Sequence, residues 1–477
     1  MISLALGNTH KKRAISHLSQ YRERTLFVMS VIAVMTLIYF VFPTVSAELV
    51  MEYLYFVISV MVVLIGKQNH GTIINLLSIY TFLVFYFNGL SLVWDVTGIL
   101  DVHNSDWFFS MNTITHENNL RAIYNLNLSL LAFSLGDILY CSKKKNLSGS
   151  NYTERVLPDF VLYFLLSVGL VIKAFYAVQQ FSLLQTVTYH ETFGDGGVAI
   201  PSYAVILSML SLYVILLKIT LGKRINFWYS MLAVYILLSM AGGQRAKGLM
   251  LLMMIIYYLH RRGTIHLRMI HVGILGVIFL GISIFIANFR NGSTEMISEI
   301  SEIVAYVQGI PYQVLQCAVQ YRDQLDYNLW DMFGNIRSML FSTGADSLKE
   351  RAEIYKIWNG YISYVCNPEK YYMGFGMGGN FIGQLFAAGR EFFVLIFSIW
   401  GGYFLCVIDR GIFGKGSIKR FLYMNVAFTF LYISRDHLFA FCNTMVTPLL
   451  CGLIVQIHFW LMDIFKIKMK VMRQTIP

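Results

Sequence analysis

The sequence predicts an all-α protein that crosses a membrane about twelve times. Its 477 residues are 57% hydrophobic and 13% charged, whereas soluble domains are about 45–50% apolar and about 25% charged. The apolar residues form runs close to the length of about 20 residues that a helix needs to cross a bilayer. The basic residues fall between these runs. The net charge of +11 therefore indicates membrane topology and not nucleic-acid binding.

Twelve apolar runs are interpreted as membrane spans. The first is longer than the hydrophobic part of a signal peptide, and a second run follows at once, so we expect a retained anchor. The two runs on either side of Gly242 and Gly243 are shorter than a usual span. The spans are predicted at residues 25–42, 49–66, 71–94, 121–141, 158–178, 199–221, 226–241, 248–260, 271–289, 391–408, 420–439 and 441–465.

The charges of the short loops predict that both termini are cytoplasmic. Lys and Arg occur in every second loop, at 143–145, 223–224, 261–262 and 410–419, whereas loops 95–120 and 179–198 contain neither. Cytoplasmic loops carry this excess of basic residues. We therefore divide the chain into a cytoplasmic segment 1–24, a membrane domain 25–289 with nine helices, a large outer loop 290–390, a membrane domain 391–465 with three helices, and a basic cytoplasmic tail 466–477.

The large loop 290–390 is the longest polar segment of the chain. An enzyme that faces outward has no supply of ATP or nucleotide sugars, so its substrates must arrive through the bilayer, as lipid-linked intermediates do. The chain has no DxD pair, which disfavours a metal-dependent glycosyltransferase of the nucleotide-sugar type. Within the loop, 296–319 predicts an amphipathic helix that is interrupted near Pro311.

The cysteine spacing predicts neither a zinc site nor a disulfide framework. The six cysteines contain no CxxC pair, and several lie inside apparent spans. Cys317 and Cys366 both fall in the large loop, where an oxidising compartment would allow them to pair.

Cations near the outer ends of spans are candidates for phosphate binding. Arg245 lies between glycines in the segment 242–248 (GGQRAKG), on the side where the other short loops carry no cation. The planar guanidinium fork suits phosphate oxygens, and glycine lets the backbone approach a large headgroup. The alternative is an interfacial anchor whose side chain reaches towards water. The candidates are Arg245, Arg290 and Arg390, with Gln244, Lys247 and Glu391 as neighbours that contact substrate.

Asp436 and His437 form a candidate general base at the outer end of the eleventh predicted span. A carboxylate next to an imidazole can orient the ring and stabilise its charged form. Arg435 precedes this pair and is a candidate substrate contact. A simple turn between two helices is the alternative. His190 and Glu191, in the loop after the fifth span, are a second candidate pair.

The glycine run 374–379 (GFGMGG) matches the GxGxxG pattern of dinucleotide-binding sites. No βαβ unit surrounds it, and the run is predicted to lie outside the cytoplasm, so we do not expect a nucleotide there. A tight turn before the chain re-enters the membrane is the better interpretation.

The order of these features resembles the O-antigen polymerase (Wzy) and oligosaccharide repeat-unit polymerase family of bacterial envelopes. The residues that carry the resemblance are the segment 242–245 (GGQR), the long outer loop that begins at Arg290, and the segment 374–378 (GFGMG) leading to Gly389 and Arg390. As a topology, the resemblance covers nearly the whole chain.

The resemblance implies a helical fold similar to the C-type glycosyltransferases (GT-C), in the bacterial inner membrane, with the active site at the periplasmic face. Donor and acceptor would be oligosaccharides linked to undecaprenyl pyrophosphate, with membrane lipid and a chain-length regulator protein as further partners and no cofactor. Arg245, Arg290 and Arg390 would stabilise the leaving pyrophosphate, and His437 with Asp436 would act as the base. An O-antigen ligase shares the topology and the donor. A flippase or other secondary transporter shares the number of spans, but such proteins usually contain repeats, and the sequence shows none.

Overall fold

The computed structural model describes residues 2–98, 101–103, 113–143, 157–186, 200–221, 225–241, 245–267, 271, 274, 281, 310–340, 351–372 and 376–475. Within these ranges every regular element is helical. The chain divides into two compact units. Unit 1 contains residues 1–148, 266–407 and 430–440, and unit 2 contains residues 149–265, 408–429 and 441–477.

Eight helices of the described chain are long and apolar enough to cross a membrane, which makes this a polytopic helical membrane protein. The spans are Ser19–Val41, Thr44–His70, Leu76–Val96, His116–Ser142, Asp159–Gln180, Ser202–Leu221, Phe381–Ile412 and Ala440–Ile464, and two shorter apolar helices are Ile225–Met240 and Met250–Arg261. The eight spans and the two shorter helices together correspond to ten of the twelve predicted runs. The predicted run 271–289 lies almost entirely outside the described residues.

The helices are numbered here in chain order. They are α1 (Ile2–Val41), α2 (Thr44–His70), α3 (Leu76–Val84), α4 (Leu90–Val96), α5 (His116–Ser142), α6 (Asp159–Thr186), α7 (Ser202–Leu221), α8 (Ile225–Ala241), α9 (Arg245–Arg261), α10 (Ile310–Gln320), α11 (Gly334–Leu340), α12 (Trp358–Cys366), α13 (Pro368–Tyr372), α14 (Phe381–Ile412), α15 (Ser417–Leu431) and α16 (Ala440–Thr475). A π-helical turn, Phe85–Gly89, joins α3 to α4.

The centre of unit 1 is α5, which is buried over most of its length. It packs against α2 and approaches α14 closely enough that small residues are required at the crossing. A Cβ on Gly136 would meet the backbone of Ile399, and one on Gly402 would meet the backbone of Phe133. Small residues let membrane helices approach to backbone contact. The hydroxyls of Ser129 and Ser398 lie 2.9 Å apart at the same crossing.

Two helix boundaries differ from the prediction, because hydropathy does not fix where a helix begins or ends. α14 begins at Phe381, so residues 381–388, assigned to the large loop from the sequence, are helical. α15 ends at Leu431 and is followed by a 3₁₀ turn, Tyr432–Arg435, so the predicted span 420–439 ends earlier than expected.

The described part of the large loop contains the four short helices α10 to α13. The predicted helix 296–319 is seen from Ile310 onward, with Pro311 in its first turn, where a missing N–H costs little. α10 is buried and packs against α5 and the π-helical turn. Cys317 and Cys366 are buried thiols and form no disulfide. Burial and the neighbouring Cys317 thiol raise the pKa of Cys366 well above its usual value.

Unit 2 is built on α6, α7 and α8, which pack against one another, with α9 packed on α8. A Cβ on Gly169 of α6 would meet the backbone of Leu207 of α7, so these two helices approach closely. Lys218 Nζ lies 2.6 Å from Asp159 Oδ1 at one end of the same helices. Lys173 extends over the ring of Tyr235, with 4.3 Å between the nitrogen and the ring centroid.

Candidate functional site

Polar side chains collect at one end of the helices of unit 1. They lie where α2, α5 and α14 begin and where α4 and α15 end. Side chains from the beginnings of α5 and α14 contact each other there, as Arg121 does with Glu391. Three groups are found there, and each is described in turn.

The first group is centred on His437, which is buried. Its Nδ1 lies 2.6 Å from Asp436 Oδ1, and its Nε2 contacts the side-chain amide of Asn335. The carboxylate fixes the tautomer, because Nδ1 must carry the proton that it donates to Asp436. Nε2 is therefore the nitrogen that can accept a proton, and in this structure it faces the Asn335 NH₂ group.

Asp436 is held in its charged form. Its Oδ1 accepts hydrogen bonds from the backbone N–H of His437 and from Nδ2 of Asn359, each 2.9 Å long. Burial alone would raise the pKa of this carboxyl, but the hydrogen bonds from His437 and Asn359 outweigh it and hold the pKa of Asp436 below its usual value.

The segment that carries Asp436 and His437 is fixed by the beginning of α14. Gln384 Oε1 accepts the N–H of Leu438 at 2.8 Å, and Gln384 Nε2 donates to the hydroxyl of Tyr327 at 2.8 Å. Gly379 packs against the same segment so closely that a Cβ there would meet the Asn359 side chain and the carbonyl carbon of Asp436. The last glycine of the run 374–379 thus permits a close approach at the site.

The π-helical turn in the third span supplies a second support. Asn88, on this turn, is fully buried, and its Oδ1 accepts from Nδ2 of Asn380 at 2.7 Å. Asn380 also donates to the carbonyl of Pro311 at 2.8 Å and caps α14 through Oδ1, which accepts the N–H of Ile382 at 2.9 Å. Single π turns are frequent at functional sites. A hydropathy scan does not reveal this turn, so the sequence gives no signal for Asn88.

The second group lies at a kink in α14. Gly389 and Arg390 have non-helical torsions there, and Arg390 has φ 54° and ψ −152°, a conformation that residues other than glycine rarely adopt. The Arg390 side chain is exposed. The next residue, Glu391, accepts a 2.7 Å ion-pair hydrogen bond from Arg121 Nε, and Arg121 also lies over the ring of Phe386.

The third group is centred on Glu48 at the beginning of α2. Its carboxylate accepts from His103 Nε2 at 3.0 Å, from His116 Nδ1 at 2.6 Å, and from the amide of Asn119. The hydrogen bond to Glu48 raises the pKa of His103 to about 9, although burial opposes the shift. Glu48, His103 and His116 present one ligand atom each within 4.8 Å of one another, so these three side chains could hold a cation.

With this geometry established, the chain can be compared with known proteins. The family model for the O-antigen polysaccharide polymerase Wzy matches residues 25–467, nearly the whole chain. The chain belongs to this family. Comparison with curated protein sequences and with solved structures gives no match. Family membership assigns an O-antigen polymerase role in lipopolysaccharide biosynthesis, and the membrane-spanning helices agree with it.

The structure brings together only part of the site predicted for this Wzy-family chain. Asp436, His437, Arg435, Arg390 and Glu391 all belong to unit 1. Arg435 extends over the ring of Phe87, with 5.5 Å between its guanidinium carbon and the ring centroid. Arg245 is the first residue of α9, and Lys247 lies in the first turn of the same helix, in unit 2. Gln244, His190, Glu191 and Arg290 lie outside the described residues.

Several site residues of the Wzy-family chain were missed from the sequence. Asn335, Asn359 and Gln384 contact the segment that carries His437, Arg121 pairs with Glu391, and Glu48 contacts two histidines. For Glu48 a signal existed, because a carboxylate near the end of an apolar run is unusual. The others are single polar residues without a local pattern.

Proposed function

We propose that this protein joins lipid-linked oligosaccharide repeat units into a long O-antigen polysaccharide at the periplasmic face of the bacterial inner membrane. The observation that carries the proposal is the family match across residues 25–467. The polar groups at one end of unit 1 support it, because they offer a carboxylate–imidazole pair and a free cation on the same side of the membrane.

In the proposed reaction, the growing chain is the donor and the next repeat unit is the acceptor, each linked to undecaprenyl pyrophosphate. A hydroxyl at the non-reducing end of the acceptor attacks the anomeric carbon of the donor. The new glycosidic bond forms as the bond from that carbon to the pyrophosphate oxygen breaks. A single displacement of this kind inverts the anomeric configuration.

Arg390, Arg245 and Arg290 are proposed to stabilise the negative charge that develops on the leaving pyrophosphate. Fixed cations aimed at developing charge are among the largest contributions to catalysis. In this proposal the arginines stabilise the leaving-group charge that a divalent cation stabilises in DxD glycosyltransferases, so the transfer does not depend on a metal. For Arg390 the exposed guanidinium, which has no hydrogen-bond or ion-pair partner among the described residues, supports the assignment.

His437 is proposed to take the proton of the acceptor hydroxyl at Nε2. The ring would then carry a positive charge that Asp436 stabilises across 2.6 Å. Asn335 occupies the position next to Nε2, so the hydroxyl of the acceptor would replace the Asn335 amide. Arg435, Glu391, Gln244, Lys247, His190 and Glu191 are proposed as substrate contacts.

The proposed orientation places both termini in the cytoplasm, as the loop charges predict. A chain-length regulator protein is proposed as a partner in the membrane.

The closest alternative function is O-antigen ligase, which would use the same donor. A deletion strain separates the two. Loss of a polymerase leaves lipopolysaccharide with at most one repeat unit, and loss of a ligase removes all O-antigen from the lipid A core. Long chains that persist in the deletion strain would contradict the proposed function. Loss of lipid-linked repeat units from the periplasmic face would indicate a flippase or transporter instead.

A further inference from the structure

A second cluster of reactive side chains lies at the opposite end of unit 1 from the candidate site. His70 is the last residue of α2, Asp137 and Cys141 lie in the last two turns of α5, and Cys406 lies in the last two turns of α14. Asp137, Cys141 and Cys406 are buried and His70 is half-buried. Nothing in the proposed polymerase reaction uses these residues.

The four side chains present one ligand atom each, and all four atoms lie within 4.8 Å of one another. His70 Nε2 is 2.6 Å from Asp137 Oδ1, Cys406 Sγ is 2.8 Å from the same oxygen, and Cys406 Sγ is 4.0 Å from His70 Nε2. In a tetrahedral zinc site the ligand atoms are about 3.3–3.8 Å apart, given Zn–N and Zn–O of about 2.0 Å and Zn–S of about 2.3 Å. The observed arrangement of the four ligand atoms differs from a tetrahedral zinc site by small side-chain rotations.

The residues around the cluster orient the carboxylate in the way that metal sites require. Asn69 Nδ2 donates to Asp137 Oδ2 at 2.6 Å, which leaves Oδ1 directed towards His70 and Cys406. Arg24 Nη1 donates in turn to Asn69 Oδ1 at 2.5 Å. Hydrogen bonds of this kind hold ligands in place and tune a bound metal.

The charges balance when a divalent cation is bound and both cysteines are deprotonated. Two thiolates and one carboxylate carry three negative charges, a divalent cation contributes two positive charges, and Arg24 contributes one. A membrane protein tolerates buried charge only when it is paired. The sum of these groups is neutral.

We propose that His70, Asp137, Cys141 and Cys406 bind one Zn²⁺ ion that ties α2, α5 and α14 together at the cytoplasmic end of unit 1. Thiolate, imidazole and carboxylate are the ligands that zinc prefers, and four protein ligands give a closed, structural site. The cytoplasmic placement follows from the orientation in the proposed function. A reducing cytoplasm keeps the two cysteines as thiols, so a disulfide does not compete with the metal.

The test uses the full-length protein purified in detergent from zinc-containing medium. Elemental analysis is expected to find about one zinc per chain in the wild type, and a strong chelator is expected to lower its melting temperature. The double variant C141S/C406S is expected to contain no zinc and to melt at the same temperature with and without chelator. The matched control C317S/C366S also removes two buried thiols of unit 1, and it should keep both the zinc and the chelator response.

A spectroscopic measurement keeps the proposal testable if C141S/C406S does not fold. Wild-type protein reconstituted with Co²⁺ should show the thiolate-to-cobalt charge-transfer absorption of a site with two sulfur ligands, and D137N should weaken cobalt binding without removing that absorption. The proposal is overturned if C141S/C406S retains the zinc, if His103→Ala removes it, if the wild type contains none, or if alkylation and mass spectrometry find a Cys141–Cys406 disulfide in freshly purified protein.

Discussion

His437 Nδ1 lies 2.6 Å from Asp436 Oδ1, on a segment between α15 and α16 that two other parts of unit 1 hold in place. The two residues are adjacent in the chain, yet their geometry depends on Asn335, Asn359 and Gln384, which come from the large loop and from α14. A general base must be oriented as well as present, and these contacts supply the orientation.

The first prediction concerns His437 as the base. His437→Gln should reduce polymerisation by about 10²–10³-fold, within the range for general acid–base catalysis, with little change in protein level. Asp436→Asn should also reduce polymerisation, because the amide removes the stabilising charge and no longer fixes the tautomer in which Nδ1 carries the proton. O-antigen chain length measured against immunoblotted protein reports both effects. The control is His458→Gln, on α16 in unit 2, and equal losses in the control and in His437→Gln would contradict the assignment.

The second prediction uses two glycines of the run 374–379. Gly379→Ala should disrupt the site, because its Cβ would meet the Asn359 side chain and the carbonyl carbon of Asp436. Gly376→Ala should be tolerated to within about 0.5 kcal/mol, because among the described residues its Cβ would meet only Ser363 Oγ, at an ordinary contact distance of 3.8 Å. Melting temperature and chain length should fall together in the first variant and stay unchanged in the second. Tolerance of Gly379→Ala would show that the close approach is not needed.

The sequence predicts the membrane spans well and the site only in part. Spans can be predicted because hydropathy adds over about 20 residues, and the second, fourth and tenth predicted runs all fall inside observed helices. The pairing of Asp436 with His437 can also be predicted, because the two residues are adjacent in the sequence. Asn88, Asn335 and Gln384 are not, since each is a single amide whose partners lie far along the chain. The sequence does not predict the burial of α10 either, because glutamines in an amphipathic pattern are typical of a helix with one solvent-exposed face. Its burial is explained only by the partners against which that helix packs.

The third prediction concerns Arg245. If it binds pyrophosphate, Arg245→Ala should lower the rate by about 10²–10³-fold, as removal of one charge-stabilising donor does. Arg245→Lys should keep some activity, because a point charge still attracts phosphate although the bidentate geometry is lost. If Arg245 is only an interfacial anchor, Arg245→Ala should change the amount of protein in the membrane and leave the O-antigen ladder per molecule of enzyme intact. Full-length ladders from a normally expressed Arg245→Ala variant would remove this residue from the site.

The fourth prediction is a pH dependence of stability at Glu48. The pKa of His103 is raised to about 9, and the ordinary value is about 6.5. The ion pair with Glu48 therefore stabilises the fold fully below about pH 6.5, and this contribution is lost as the pH rises through about 9. The wild type should melt at lower temperature as the pH rises across this window.

Glu48→Gln should flatten that dependence, because the glutamine carries no charge to hold the proton on His103. Asp95 and His116 also face His103, so His116→Gln serves as the control and should keep most of the slope. A wild-type melting temperature that is constant from pH 6.5 to 9, as measured in detergent, would show that the ion pair does not contribute to stability.

The fifth prediction separates the backbone of Arg390 from its charge. With φ 54° and ψ −152°, an arginine at this position costs about 1–3 kcal/mol relative to a relaxed conformation, and glycine adopts the same torsions without that strain. Arg390→Gly should therefore stabilise the protein, or at least not destabilise it, and should still reduce polymerisation by about 10²–10³-fold because the cation is lost.

Arg390→Lys should keep the strain and recover part of the activity, since the charge remains. If Arg390 were only an interfacial anchor, Arg390→Gly would lower the stability of the protein and leave the chain length per molecule of enzyme unchanged. The two variants therefore distinguish a functional arginine from an anchor. Melting temperature and O-antigen ladder are measured on the same preparations. A more stable but inactive Arg390→Gly variant would mean that the strained conformation is retained for the position of the guanidinium, as expected where a functional group is held against the preference of its own backbone.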